Sequence, residues 1–535
     1  MLYAVLGLYF AAMIGIGILT SLKTRTMQDF FLGNRSVGPW ISAFAYGTTY
    51  FSAVLFIGYA GGQGWGFGLP VLWVAVGNAI LGCLLPWLIL GRRTRNMTAE
   101  LGVMTMPEFL EARYGSRALK VASALIIFIF LIPYSAAAYT GLSFLFQGIF
   151  NIRYEYALIG MAALTAFYLV LGGYFAVTLT DFVQGLIMLV GAVFMVGYVF
   201  RAPEVGGFGE VAARLTAVNP ELAKIFPSSW PKIMWLVLLT SLGAWGMPQM
   251  VQKFYAIKNA AVITRAAVVG TIFCLVIAGA AYLVGSASTL YGPALVAENQ
   301  AVFAQAPGFE QAKADTAAAR GLIDRAMKNE TEKSPDPVKY KNTMIIPQIL
   351  KRALPAILLY IVLVLVLSAT MSTVSSLVLV SSSSITIDLL QGALLPKMSK
   401  AMGMTFMRVL CLVFVVLSTY LSWRGPSFLV ALMSYSWGAI AGSFIGPYVL
   451  GLFWKKVGKT AVWAGMAVGL GIAIANYLGG TYGFFGISKA DAPMYGVLAM
   501  LASLVVVTVV SLVTPSPRLA SVDKAFAAAA AAAKE

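Results

Sequence analysis

Apolar runs long enough to cross a bilayer recur along the whole chain, separated by short polar and basic stretches. A hydrocarbon core takes about 20 apolar residues in helical form. The pattern predicts about thirteen membrane helices, over 2–21, 39–65, 70–91, 119–149, 155–174, 179–200, 233–254, 262–290, 354–386, 405–423, 427–453, 460–478 and 493–513. The first is read as a span and not a leader: it has no basic n-region and no small-residue cleavage site, and its positive charges come after it.

Those charges orient the chain. With the N-terminus outside, the inner loops carry Lys23, Arg25, Arg35, Arg92, Arg93, Arg95, Arg113, Arg117 and Lys120, then Lys253, Lys258 and Arg265, then Lys397, Lys400 and Arg408, then Lys455, Lys456 and Lys459. The short outer loops carry only Arg153, Arg424 and Lys489, and the loop at 201–232 is mixed in sign. Positive charge inside predicts a cytoplasmic C-terminus, and the expected location is the inner (plasma) membrane. A polar insert over 291–345 falls outside. Its middle, QAKADTAAARGLIDRAMKNETEKSPDPVKY, predicts a short surface helix and an irregular stretch, either a plain insertion or an outer lid. The tail AFAAAAAAAKE is low complexity and is given no functional weight.

Composition narrows the function. Of 535 residues, 60% are hydrophobic and 11% charged, far from a soluble domain. The net charge of +17 lies in short loops between spans, so it sets topology and does not point to nucleic acid. No histidine is present, which excludes Ser-His-Asp and Cys-His catalysis. No GxxxxGK[ST] loop occurs, so ATP does not drive the chain. No catalytic residue is assigned, and the chain is not read as an enzyme. Cys83, Cys274 and Cys411 lie scattered in apolar segments and read as reduced packing residues.

The stretch LSATMSTVSS (367–376) places six hydroxyls inside an apolar span. On a helix, Ala369, Ser372 and Thr373 share one face, and Ser372, Ser375 and Ser376 form an overlapping set. Such a ladder either packs helices closely or supplies oxygen ligands to a hard cation. Span 2, WISAFAYGTTYFSAVLFIGYAGGQGWGFG, is interrupted at Gly47-Thr48-Thr49 and ends in the glycine run. Span 7 is interrupted at Gly243, Gly246 and Pro248. Two interrupted spans five apart predict two five-helix repeats, 2–6 and 7–11, with a binding site between the breaks. Ordinary Gly/Pro kinks are the alternative. Asp181 is the one carboxylate read as lying in the membrane interior, since Asp388 falls at a helix end. It is either functional or the N-cap after a short 174–180 turn.

At these residues the chain resembles the sodium/solute symporters. The likeness is carried by DFFLGNRSVGPW (29–40), TLTD with FVQGL (178–186), GMPQMVQKFYAIKN (246–259), ATMSTVSS (369–376), SSSSITIDL (381–389) and SYSWGAIAGSFIGP (434–447). It is strongest to the sodium/proline and sodium/pantothenate branch. The resemblance implies an all-α polytopic fold of about thirteen helices with the leucine-transporter-type inverted repeat. The repeats would span 29–201 and 202–454, after an extra helix in 1–28 and before two further helices (455–513) and a tail (514–535). It implies a sodium site made by the carbonyls of Thr48, Phe51 and Ala369 and the hydroxyls of Ser372 and Thr373. A second sodium would lie at Asp181, Ser372, Ser375 and Ser376. The solute would meet Tyr50, Phe51, Ser52, Tyr134, Trp245 and Tyr435.

Departures from the pattern bear on the solute. Tyr50 stands where proline symporters carry an aspartate, and Val54-Leu55 where the bacterial sugar member has Glu-Gln. A pocket this apolar suits a small organic solute, an amino acid such as proline or a carboxylate such as pantothenate, better than a sugar. The expected activity is sodium-coupled import by alternating access. The expected partners are the solute, sodium as the only metal, and the bilayer; no residue pattern points to an oligomeric state. A sodium-independent or proton-coupled carrier is the alternative, and a transporter-like sensor a poorer one.

Overall fold

The computed structural model describes residues 2–21, 27–150, 152–259, 261–332, 334–423, 429–515 and 519–531. Their regular structure is helical, with a single isolated bridge between Val37 and Ile257. Ten helices are long and apolar enough to span: α1 (Leu2–Ser21), α3 (Leu69–Glu100), α4 (Arg117–Phe150), α6 (Gly173–Arg201), α8 (Ala261–Glu298), α9 (Ala356–Leu394), α10 (Lys400–Trp423), α11 (Leu429–Phe453), α12 (Lys459–Tyr482) and α13 (Lys489–Val513). Two more are bent pairs: α2a (Pro39–Tyr50) with α2b (Val54–Phe67), at 50°, and α7a (Trp230–Gly246) with α7b (Pro248–Tyr255), at 46°. The remaining expected span is the shorter apolar helix α5, Tyr154–Phe167. The expected basic residues Lys23, Arg25 and Arg424 lie outside the described residues.

The breaks follow from local chemistry. Pro248 lacks an N–H and forces the residue before it out of the helical region, so Met247 is extended (φ −81°, ψ 121°) between Gly246 and Pro248. In α2 the break falls later than Gly47-Thr48-Thr49, which are helical; it lies at Phe51 (φ −114°, ψ 124°) and Ser52. Gly47 serves packing instead: a Cβ there would lie 2.3 Å from the ring of Phe273. The glycine run does end α2, at its last residue. The helix continues to Phe67 and stops at Gly68, whose φ of +67° suits glycine.

Three further expectations change. The 174–180 segment is helix, broken only at Gly173, so Asp181 sits inside α6 and caps nothing. α9 runs on to Leu394, which buries Asp388 completely and gives it a 2.7 Å hydrogen bond from the hydroxyl of Thr105. The insert holds several short helices instead of one, the longest Thr316–Thr331 with Asp315 as its N-cap, and the expected irregular stretch follows at 334–341.

The packing sets α2 and α6 against each other and both of them against α8 and α9, with α7a and α4 against α11, and α12 and α13 against α11 as well. The tail helix Ala520–Ala531 docks by Phe526, under the guanidinium of Arg93 at 5.0 Å.

Candidate functional site

The break in α2 strips helical partners from the carbonyls of its last turn, and α9 crosses there with its hydroxyls. Ser372 Oγ lies 3.0 Å from the Thr48 carbonyl and 3.1 Å from that of Ala369. Thr373 Oγ1 lies within reach of four carbonyls: Ala369 at 3.0 Å, Thr49 and Phe51 at 3.2 Å, and Thr48 at 3.3 Å. A hydroxyl has one hydrogen to donate. Two hydroxyls therefore cannot satisfy these oxygens at once, and their lone pairs crowd together among fully buried residues. That arrangement suits a hard monovalent cation, which prefers neutral oxygen ligands. All five residues expected at the sodium position meet here, and the Thr49 carbonyl is an addition.

One turn further along α9, Ser376 Oγ lies 3.0 Å from Thr49 Oγ1 and accepts a 3.1 Å hydrogen bond from the ammonium of Lys253. Lys253 Nζ also lies 3.5 Å from Asp181 Oδ2, and both side chains are buried. Lys253 thus lies buried inside the helix bundle, on α7b, and not in a loop. Of the residues expected around a second cation, Asp181 and Ser376 meet with this ammonium between them. Ser375 turns back to the carbonyl of Ser372 at 3.0 Å, and Ser372 faces the first cluster.

Beside the α2 break is a small cavity of about 20 Å³, lined in part by Tyr50, Phe51, Ser52 and Tyr134, as expected. Tyr50 and Phe51 stack at 4.7 Å between ring centroids, and Tyr50 and Trp437 at 6.2 Å. Trp245 and Tyr435 are elsewhere. The indole of Trp245 donates to the Leu81 carbonyl at 2.8 Å, and Tyr435 packs on Tyr477 and against Gly480. Six wall residues escaped the sequence reading: the polar Asn78 and Thr240, the aromatic Tyr59, Tyr282 and Trp437, and Met433. Asn78 had a signal, a lone amide in the apolar run VLWVAVGNAILG; its Oδ1 accepts from Thr240 Oγ1 at 2.7 Å.

A larger cavity, about 560 Å³, opens beyond Gly58 and Leu429 on the face carrying the insert. Toward the opposite face, the space at Thr105, Gln252 and Asp388 is about 10 Å³. The insert helix Thr316–Thr331 caps the end of α2b. Arg320 donates to the carbonyls of Trp65 (2.7 Å) and Gly66 (3.1 Å), and the indole of Trp65 donates to Asp324 at 2.7 Å.

The sequence profile of the sodium:solute symporter family matches residues 30–469. The chain is 28% identical to the osmoregulated proline transporter OpuE of Bacillus subtilis, over 96% of this chain and 95% of that one. It is 29% identical to the high-affinity proline transporter PutP of the same organism, over 96% and 98%. Among solved structures, a Na+-coupled sialic acid symporter in a substrate-bound outward-open state superposes with a TM-score of 0.76 at 20% identity, over 97% of this chain and 99% of that one. That likeness carries the fold: an all-helical, multi-pass architecture shared along nearly the whole chain.

Proposed function

The chain belongs to the sodium:solute symporter family, and from that premise we propose that it imports a small amino acid with an apolar body, proline first among them, together with sodium. The observation that carries the sodium half is the hydroxyl of Thr373 facing four carbonyls with one hydrogen. Sodium there would be held by the carbonyls of Thr48, Phe51 and Ala369 and the hydroxyls of Ser372 and Thr373. It would tie the break of α2 to α9.

The same break shapes the solute wall, because Phe51 supplies both a cluster carbonyl and a cavity ring. Ordering the break for sodium therefore orders Tyr50, Phe51 and Ser52 for solute, which is how one ligand raises affinity for the other. The first turn of α2b begins at the cavity, and a helix N-terminus favours a carboxylate. The stacked rings suit an apolar body. The relatives named as proline transporters support the same solute class.

In this reading the insert face is outside, and the face with Arg92, Arg93, Arg113 and Lys455 is cytoplasmic. Sodium and solute enter by the wide outer cavity and leave through the narrow inner one as the repeats rock. The membrane potential contributes about 2.3 kcal/mol per charge per 100 mV. The solute leaves chemically unchanged, so no enzyme activity is assigned.

The test is uptake of labelled proline by the purified protein in proteoliposomes, under an inward sodium gradient and under a matched potassium gradient. Accumulation above equilibrium with sodium alone is the expected result. Equal uptake in both would favour an uncoupled carrier. Sodium-driven uptake of another amino acid or of a monocarboxylate, with none of proline, would replace the solute and keep the coupling.

A further inference from the structure

We infer that Lys253 is a tethered cation holding the position of a second sodium ion, so that one sodium, not two, is coupled to each solute. The inference rests on the sodium-coupled reading above and concerns its stoichiometry.

The cluster at Thr48 and Thr373 contains only neutral oxygens. One helical turn away along α9 lies the buried carboxylate of Asp181, which needs a positive charge beside it. The structure supplies that charge from the chain itself. Lys253 Nζ is 3.5 Å from Asp181 Oδ2, 3.1 Å from Ser376 Oγ and 5.5 Å from the centre of the Tyr174 ring. The remaining oxygens around this point are hard ligands as well. Ser376 Oγ is shared with Thr49 Oγ1 at 3.0 Å, and Asp181 Oδ1 is buried without a hydrogen-bond partner. A carboxylate and two hydroxyls are what a sodium ion would take. A second free cation would share one carboxylate with a fixed ammonium a few ångströms away, and in a buried setting that repulsion is poorly screened.

Lysine also does something a free ion would not. Thr49 is on α2a, Ser376 on α9, Asp181 on α6 and Lys253 on α7b. The contacts Thr49–Ser376–Lys253–Asp181 therefore run from the first broken helix to the second. The residue that fixes the stoichiometry also connects the sodium cluster to the second broken helix.

The experiment compares wild type, Lys253→Arg, Lys253→Met, Lys253→Gln and the double variant Lys253→Met/Asp181→Asn in proteoliposomes. The membrane potential is clamped at zero, and L-proline accumulation is measured against the imposed sodium ratio. Wild type and Lys253→Arg should accumulate solute in proportion to that ratio, about tenfold for a tenfold gradient. Lys253→Met and Lys253→Gln free the carboxylate for sodium and should accumulate as its square, about a hundredfold. The double variant should return to simple proportionality. A squared dependence in wild type, which needs no variant to be read, would overturn the inference. So would simple proportionality in a transporting Lys253→Met or Lys253→Gln protein. Wild-type accumulation that ignores sodium altogether is a different result, and it would overturn the symport reading itself.

Discussion

The phenol of Tyr50 donates a 2.7 Å hydrogen bond to the backbone carbonyl of Thr240. It joins α2a to α7a across the cavity wall, so the two broken helices touch where the solute is proposed to bind. Gly82 leaves the room for it: a Cβ there would lie 2.0 Å from the Tyr50 hydroxyl.

Tyr50→Phe keeps the ring and removes this bond. The expected cost is about 1 kcal/mol, the net worth of one neutral hydrogen bond. Because the contact braces the wall and not the oxygen cluster, the solute KM should rise by about fivefold with the sodium dependence little changed. Uptake kinetics over solute and sodium concentrations check both halves.

Asp181→Asn leaves the Lys253 ammonium buried beside a neutral amide. Breaking one side of a buried pair costs about 3–5 kcal/mol, so the variant should unfold at lower temperature than wild type. Removing the charge from both residues should recover most of that loss. Thermal unfolding of the single and double variants in detergent measures the difference. An Asp181→Asn protein as stable as wild type would mean that the pair carries no such energy.

Arg320→Ala uncaps the Trp65 and Gly66 carbonyls at the end of α2b. Local opening of that half-helix should become easier by about 1–2 kcal/mol. Hydrogen–deuterium exchange should speed up over residues 58–67 and stay unchanged in α9. Uniform loss of protection would instead indicate global destabilisation.

Gly64→Ala tests the approach of α2b to α8, since a Cβ at Gly64 would lie 2.4 Å from the backbone carbon of Gly285. Backbone cannot yield as a flexible side chain can, so a loss of about 1–3 kcal/mol is expected. Gly66, two residues on, has nothing within 4 Å of such a Cβ and provides the control. Melting temperatures of Gly64→Ala and Gly66→Ala should fall well apart.

Much of this arrangement was legible in the sequence for identifiable reasons. Apolar length marks a span whatever its neighbours, and Pro248 breaks α7 by its own covalent geometry. Ser372 and Thr373 both lie beside Ala369 because they follow it by three and four residues on a helix. What stayed hidden depends on contacts between distant segments. Gly47 looked like the break in α2, but its partner is Phe273, far along the chain, and a close approach uses glycine just as a break does. Lys253 counted as a loop charge because a basic residue near a span end usually is one; its burial is intelligible only once Asp181, on another helix, lies beside it. Trp245 and Tyr435 were read toward the cavity from their neighbours in sequence, yet helix rotation turns them to Leu81 and Tyr477. Asn78 did carry a local signal, an isolated amide within an apolar span.

The central claim is that the oxygen cluster between the break of α2 and α9 takes the coupling sodium. Its most direct measurement is the melting temperature of purified protein titrated with NaCl against KCl, for wild type and for Thr373→Ala. A ligand that binds only the folded state stabilises it in proportion to its occupancy. Wild type should gain stability with sodium and not with potassium, and Thr373→Ala should need at least about tenfold more sodium for the same gain, as expected for loss of about 1.4 kcal/mol of binding. An undiminished sodium response in Thr373→Ala would contradict the claim and place the ion elsewhere.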